Sequence, residues 1–329
     1  MEKGWKKPAC SSGSLPAGNP QMTVPMTSLL PRPPYDFALS SAIFSTGEPD
    51  IRTFRGGVFR QVLAIDKSVV LAEVTSYGTT DDPELSLTLR SDHPVSTDTA
   101  QRAKSLVASM LSLSDDVARF YRAVAGDPVL AGLTVQLRGV RAPVTTTVFE
   151  ALTDSVIEQQ ISLKAARSIA NRLIRATGKK LALDGNAFYC YPDAETLAGT
   201  PDSTFRTCGL TSRKGEYIRG IAQLILNGDL DAEGFRKYRD TEKIIEELTQ
   251  IRGIGRWTAE LTTLRGLHRP DAFPADDVGV RRFISLYYLG GRKISPAEAR
   301  TFAGRWGAWK GFAAYYLEVA DLLGVRPAV

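Results

Sequence analysis

The sequence predicts an α+β fold, an amino-terminal antiparallel sheet with helices followed by an all-helical half. Two observations carry that prediction. Between Pro34 and Pro143 strand-like segments, one of them alternating apolar and polar residues, mix with helical ones, and beyond Pro143 the strand signal stops and apolar residues recur at helical spacing. Strands followed by helices, rather than strict alternation of the two, imply an antiparallel sheet. A third observation is scale: 329 residues, 43% of them hydrophobic, suit about two domains of roughly 150 residues and a sizeable core.

Seven of the 18 prolines fall within the first 34 residues, among Ser, Gly and Asn. Residues 1–30 are therefore expected to be a disordered tail, with Lys3, Lys6 and Lys7 either touching phosphates or simply solvated. Residues 31–142 are expected to form the first domain. Phe59 to Ile65 and Val69 to Val74 suggest strands joined by Asp66-Lys67-Ser68, and Glu84 to Arg90 sets Leu85, Leu87 and Leu89 on one face. Asp98 to Leu113 spaces Ala103, Leu106, Val107 and Met110 as a helix does, and Asp115 to Ala125 suggests a second helix.

Residues 143–329 are expected to form the helical domain. Phe149 to Ala176 looks like one long helix ended by Gly178, and Lys214 to Leu226 like an amphipathic helix closed by Gly228. Thr200-Pro201 marks a helix start. Ser295-Pro296-Ala297-Glu298 marks another, a capping box with proline at the first helical position. Glu242 to Leu248, Arg256 to Leu264, Val278 to Leu289 and Gly311 to Leu323 complete the set.

Composition removes several classes. A net charge of only +5 beside this apolar fraction excludes a wholly disordered chain. Cys10, Cys190 and Cys208 are too few for a disulfide framework or a four-cysteine zinc or iron–sulfur centre, and His93 and His268 alone argue against a histidine-built metal site. No run approaches the ~18 apolar residues of a membrane span, so a soluble protein with no membrane partner is expected. Residues 1–142 carry a net +1 and residues 143–329 a net +4, which is compatible with a polyanionic partner and decides nothing by itself.

The most informative segment runs from Leu248 to Glu260, where a helix ends, Gly253-Ile254-Gly255 turns, and Arg256-Trp257-Thr258 opens a new helix. Glycines let the backbone approach a ligand closely, and the new helix points free N–H groups and its positive dipole end outward, which suits phosphate. The same glycines also serve a plain helical hairpin. Twenty residues past Trp257, Asp276 and Asp277 stand at the mouth of the next helix, in Phe273-Pro-Ala-Asp-Asp-Val-Gly-Val-Arg-Arg-Phe283.

Together these two segments resemble the helix-hairpin-helix DNA glycosylases. Val156-Ile-Glu-Gln-Gln-Ile-Ser-Leu-Lys-Ala-Ala166 is similar to the helix that supplies that family's base-displacing wedge. Pro33-Pro34-Tyr35-Asp36 and Arg305-Trp-Gly-Ala-Trp309 resemble segments of its DNA-3-methyladenine glycosylase II, or alkylpurine, subgroup, so the likeness spans about residues 33 to 323. The resemblance implies a TATA-binding-protein-like amino-terminal sheet domain ahead of the helical glycosylase domain. It also implies a partner, duplex DNA containing damaged bases, from which a nucleotide is flipped and its base removed.

On that resemblance Asp277 matches the catalytic carboxylate, which stabilises an oxocarbenium-like sugar and orients or deprotonates water. Asp276 is then left to cap the helix or brace the loop, with Asp277 as helix cap the competing assignment. Strand-cutting relatives carry lysine where this chain has Trp257, so a monofunctional enzyme without lyase activity is implied. Trp257, Trp309, Phe44 and Tyr315 are the implied base pocket, with Tyr316 a further candidate, and each aromatic serves equally well as core. An aromatic face attracts a cationic alkylated base. Gln160 matches the wedge, where the best-known relative has an apolar residue. Gly253, Gly255 and Thr258 are the expected phosphate contacts.

The carbonyls of Thr249, Ile251 and Ile254 match those that hold a structural monovalent cation, Na+ or K+, and no cofactor for catalysis is implied. A monomer is expected, handing its product to an abasic-site endonuclease. Its expected location is cytoplasmic or nucleoid-associated in a prokaryote and nuclear in a eukaryote. Excision of oxidised or deaminated purines, and a non-catalytic DNA-binding module, are the competing functions.

Overall fold

The computed structural model describes residues 22–326. Five antiparallel strands form one sheet: β1 (Met22–Leu29), β2 (Arg52–Arg55), β3 (Val58–Ile65), β4 (Ser68–Ser76) and β5 (Leu85–Ser91), in the order β1-β5-β4-β3-β2. Helix α1 (Phe37–Ser41) and a 3-10 turn, Ala42–Phe44, connect β1 to β2. Helix α2 (Thr97–Met110) covers one face of the sheet. Phe59, Leu63, Val70, Val74, Leu85, Leu87 and Leu89 all point to that face and bury against Ala103, Val107 and Met110. Each large apolar side chain buried there contributes roughly 1.5–3 kcal/mol.

The boundary of the expected tail is corrected, because β1 lies inside residues 1–30 and pairs with β5, Leu29 opposite Leu85. Pro25 hides the strand in the sequence: it has no N–H to give a ladder, and the register breaks between Val24 and Thr27. An edge strand tolerates this. Residues 1–21 of that tail lie outside the described residues.

Two short helices follow, α3 (Val117–Ala123) and α4 (Leu130–Gln136). The second half comprises α5 (Val148–Glu158), α6 (Leu163–Thr177), β6 (Lys180–Leu183), β7 (Asn186–Tyr189), α7 (Ala194–Gly199), α8 (Asp202–Cys208) and α9 (Ser212–Asn227). It continues through α10 (Thr241–Thr249), α11 (Arg256–Leu267), α12 (Val278–Tyr288), α13 (Pro296–Ala303) and α14 (Lys310–Leu322). Helix α11 is the central post, with Thr258 to Thr263 buried continuously. The capping box forms as its sequence predicts: Glu298 N–H donates to Ser295 Oγ at 3.2 Å, and Ser295 N–H to Glu298 Oε2 at 2.8 Å.

Three expectations change here. The second half is not all-helical: β6 and β7 form a hairpin whose Leu181 and Leu183 bury against Val62 and Leu71 on the back of the sheet. The boundary at residue 142 is not where the cores divide. Helices α3 and α4 share a cluster with α12, α13 and α14, in which the Phe120 ring lies 4.9 Å from those of Phe312 and Tyr316. The long helix from Phe149 to Ala176 breaks at Gln159 and Gln160, the latter left-handed at φ +57°, and Ser162 caps α6. Gly178 does end α6, but in extended conformation. A Cβ there would stand 2.1 Å from the Cys190 carbonyl oxygen, so close approach is what requires glycine.

Among the described residues no helix is long and apolar enough to cross a membrane.

Candidate active site

A cleft of about 1130 Å³ opens between the two helical clusters, with the segment around Phe44 forming its rim on the sheet side. The turn between α10 and α11 stands at its mouth. Gly253 takes φ +93°, and a Cβ there would fall 2.3 Å from the Tyr217 ring, so both backbone conformation and space demand glycine. Gly255 is the N-cap of α11 and offers no side-chain cap, which leaves the helix start open to an anion. Arg256 is turned away by ion pairs to Glu242 at 2.6 Å and Glu260 at 2.9 Å.

Trp257 projects from the first turn of α11 into the cleft, and its indole Nε1 donates to Asp277 Oδ2 at 3.1 Å. The other oxygen of Asp277 accepts from Val280 N–H at 3.0 Å, so Asp277 caps α12. The two roles weighed for this residue, helix cap and cleft carboxylate, thus belong to different oxygens. Asp276 does not cap the helix, as its sequence position had suggested; it is exposed, 3.8 Å from Arg300.

Of the other expected site residues, Tyr315 and Phe44 line the cleft. The Tyr315 hydroxyl is buried without a hydrogen-bond partner. Phe44 packs 5.1 Å from Phe59 and beneath the Arg52 guanidinium at 5.3 Å. Trp309 does not line the cleft. Its half-buried ring packs 5.8 Å from that of Phe120 of α3, against the cluster that α3 shares with α14. Tyr316 is core, fully buried, its hydroxyl donating to the Val140 carbonyl at 3.1 Å. Thr258 faces inward. Its hydroxyl is buried and accepts from Gln159 Nε2 at 3.0 Å, so it is not open to a phosphate.

Gln160 sits exposed at the tip between α5 and α6, at the edge of the cleft. Two residues that sequence reasoning missed hold this tip. Gln159 Nε2 also donates to the Gly253 carbonyl at 2.9 Å, tying the tip to the hairpin. Lys214 Nζ donates to the carbonyls of Ile157 at 2.8 Å and Gln159 at 2.7 Å, a cation at the end of α5 where the helix dipole favours one. Burial lowers its pKa. Lys214, Arg213 and Arg252 line a notch of about 740 Å³ that also takes in Thr249, Ile251 and Ile254 of the turn. The Ile251 carbonyl accepts from Ile254 N–H at 3.0 Å.

Charged groups on the cleft floor were also not foreseen. Arg265 donates to both oxygens of Glu158, at 2.8 and 2.9 Å. Burial works against its charge, yet Glu158, Glu318 and Asp277 hold its pKa above the ordinary arginine value. Burial raises the Glu318 carboxyl, against the pull of Arg265. Deeper in, Asp154 accepts from the Tyr191 hydroxyl at 2.7 Å, and burial together with neighbouring Glu150 pushes its pKa up to about 7. No local motif announces these residues, since Glu158 and Arg265 lie 107 positions apart.

The HhH-GPD superfamily base excision DNA repair protein family matches residues 153–308, a span that contains the α10–α11 turn, Trp257 and Asp277. A DNA-3-methyladenine glycosylase of Bacillus subtilis is 32% identical over 231 residues, 70% of this chain and 75% of that protein. The 3-methyladenine DNA-glycosylase of Archaeoglobus fulgidus is similar in structure, with a TM-score of 0.79 at 26% identity over 91% of this chain and 99% of that one. An 8-oxoguanine glycosylase/lyase of Clostridium acetobutylicum, bound to DNA, has a TM-score of 0.70 at 20% identity over 89% and 94% of the two chains, a likeness of fold alone. With the hairpin, the cleft carboxylate and these relatives in agreement, the chain belongs to the HhH-GPD superfamily of base excision DNA repair proteins.

Proposed function

We propose that this protein is a monofunctional DNA glycosylase that excises alkylated purines, of the 3-methyladenine and 7-methylguanine type, from duplex DNA in base excision repair. The observation that carries the reading is the contact between Trp257 and Asp277, 3.1 Å apart on one wall of the cleft. It sets an aromatic face, which attracts a cationic base, beside a carboxylate, which attracts a cationic sugar. The 3-methyladenine glycosylases of Bacillus subtilis and Archaeoglobus fulgidus support the substrate class.

In this mechanism the open start of α11 and the backbone N–H groups of Gly253 and Gly255 hold a phosphate. Gln160 fills the space left in the duplex. The flipped base enters between Trp257 and Tyr315, with Phe44 at the rim. The glycosidic bond breaks with its electron pair leaving on the base, which neutralises an alkylated purine. The sugar's C1′ then carries positive charge opposite Asp277. Water adds to C1′ and its proton passes to Asp277 or solvent, giving free base and an intact abasic site. Position 257 offers an indole rather than an amine, so no Schiff base forms and the strand is not cut.

The carbonyls of Thr249, Ile251 and Ile254 are hard oxygen donors, and Ile251 keeps a second lone pair beside its bond from Ile254, so the set fits Na+ or K+. Such an ion, when bound, offsets phosphate charge at the turn. The protein acts as a monomer, and an abasic-site endonuclease takes over its product.

Base release from methylated duplex DNA, resolved chromatographically, tests the reading. Wild type should release 3-methyladenine and leave alkali-labile, uncut strands, while Asp277→Asn binds the duplex and releases nothing. Binding without release by either protein would leave a non-catalytic clamp.

A further inference from the structure

Helix α14 turns a single stripe toward the cleft, Gly311, Ala314, Tyr315 and Glu318, at the i, i+3, i+4, i+7 spacing of one helical face. Two polar groups on that stripe are left without protein partners. The Tyr315 hydroxyl is buried and unpaired. Glu318, less than one turn further on, lines the same cleft and makes no hydrogen bond or ion pair among the described residues. Native proteins rarely leave a buried hydroxyl such as that of Tyr315 unpaired, and with a half-buried carboxyl beside it on the same cleft the arrangement points to a ligand that meets both. Mutual neutralisation is also absent: the charged groups acting on Glu318 are Arg265, Asp277, Glu158 and Arg167, and Arg265 is already committed to Glu158.

We infer that Glu318 is the specificity-determining residue of the base pocket, its carboxyl accepting a hydrogen bond from the exocyclic amino group of an adenine-type base while the Tyr315 hydroxyl serves an adjacent ring nitrogen. This rests on the glycosylase reading above and adds to it which edge of the base is recognised. A carboxyl oxygen accepts whether or not the group is ionised, and an amino group donates. A purine with a carbonyl oxygen at that position sets acceptor against acceptor, and a site built around a hydrogen bond rejects such an analogue strongly. The discrimination belongs to the ionised carboxylate, which has no proton to offer a purine carbonyl and which Arg265 and Arg167 favour against burial.

The test is excision of 3-methyladenine and of hypoxanthine from otherwise identical duplexes by wild type, Glu318→Gln and Glu318→Asp. Glutamine can donate as well as accept, so the ratio of kcat/KM for 3-methyladenine over hypoxanthine should fall ten-fold or more. Aspartate withdraws the carboxyl by one methylene, and should lose 3-methyladenine excision without gaining hypoxanthine. An unchanged ratio in a Glu318→Gln protein that melts like wild type overturns the inference while the glycosylase reading stands. Release of neither base by wild type overturns both. Should the variants fail to fold, inhibition of wild type by free 3-methyladenine against free hypoxanthine decides: ten-fold stronger inhibition by the former is expected, and equal or absent inhibition overturns the assignment.

Discussion

Asp277 divides its two oxygens between Trp257 and the backbone of α12: the indole N–H reaches one at 3.1 Å and Val280 N–H reaches the other at 3.0 Å. Asparagine caps helices as well as aspartate does. Asp277→Asn should therefore keep the melting temperature within a degree or two and lower single-turnover excision by a factor of about 100 or more, the usual scale for removing a transition-state charge partner. Trp257→Phe keeps a ring face and removes the indole donor. A loss of about 10- to 100-fold is expected, matching the ~1.5–3 kcal/mol of a hydrogen bond to a charged group. Equal activity of Trp257→Phe and wild type would show that the contact does not position the carboxylate.

Gln160 holds a left-handed backbone at φ +57°, a conformation that costs a non-glycine residue about 1–2 kcal/mol. Gln160→Gly should leave thermal stability unchanged or raised while excision from duplex DNA falls. Excision from single-stranded substrate should fall less, since no hole in a duplex has to be filled. A variant as active as wild type on duplex would exclude Gln160 as the wedge.

Gly253→Ala should destabilise the protein by about 2–4 kcal/mol, adding left-handed strain to overpacking against Tyr217. Combining it with Tyr217→Ala should recover the packing part only. Denaturant unfolding of the four proteins of this cycle measures the coupling directly.

Asp154 gives the fold a pH dependence. Its folded pKa of about 7 lies above the unfolded value near ~3.9, so between those limits the folded chain holds a proton that the unfolded chain releases. Its contribution is full below pH ~4, is lost as pH rises toward 7, and is flat beyond. Glu150, Glu158, Arg52 and Tyr191 are the groups that act on it. Asp154→Asn, which can still accept from Tyr191, should flatten this slope and stabilise the protein at pH 8 by on the order of 1–3 kcal/mol. Melting temperatures at pH 5 and pH 8 for both proteins would test the sign.

The elements legible in the sequence were those whose signal is local. Leu85, Leu87 and Leu89 alternate, and Ser295 to Glu298 spell a cap, and both form as expected. The β6–β7 hairpin was missed although Asp184-Gly185, both at positive φ, is a strong two-residue turn signal; each strand has only four residues, too few for the alternation to stand out. Trp257 and Asp277 could be singled out because they flank a recognisable turn. Trp309 was misplaced because its surroundings depend on α3, nearly two hundred residues earlier, and nothing local distinguishes a cleft aromatic from a core one. Lys214, Arg265 and Glu318 acquire their roles only when distant helices meet.

The hairpin behind the sheet has a thermodynamic consequence. Val62 and Leu71 are nearly inaccessible to water, with Leu181, Leu183 and Cys190 from the other half of the sequence in the same cluster. A chain cut near residue 142 would leave the sheet with one face bare and would also remove α3 and α4 from the helices they support. Neither fragment would inherit a finished interior, so melting should proceed as a single cooperative transition of the whole chain.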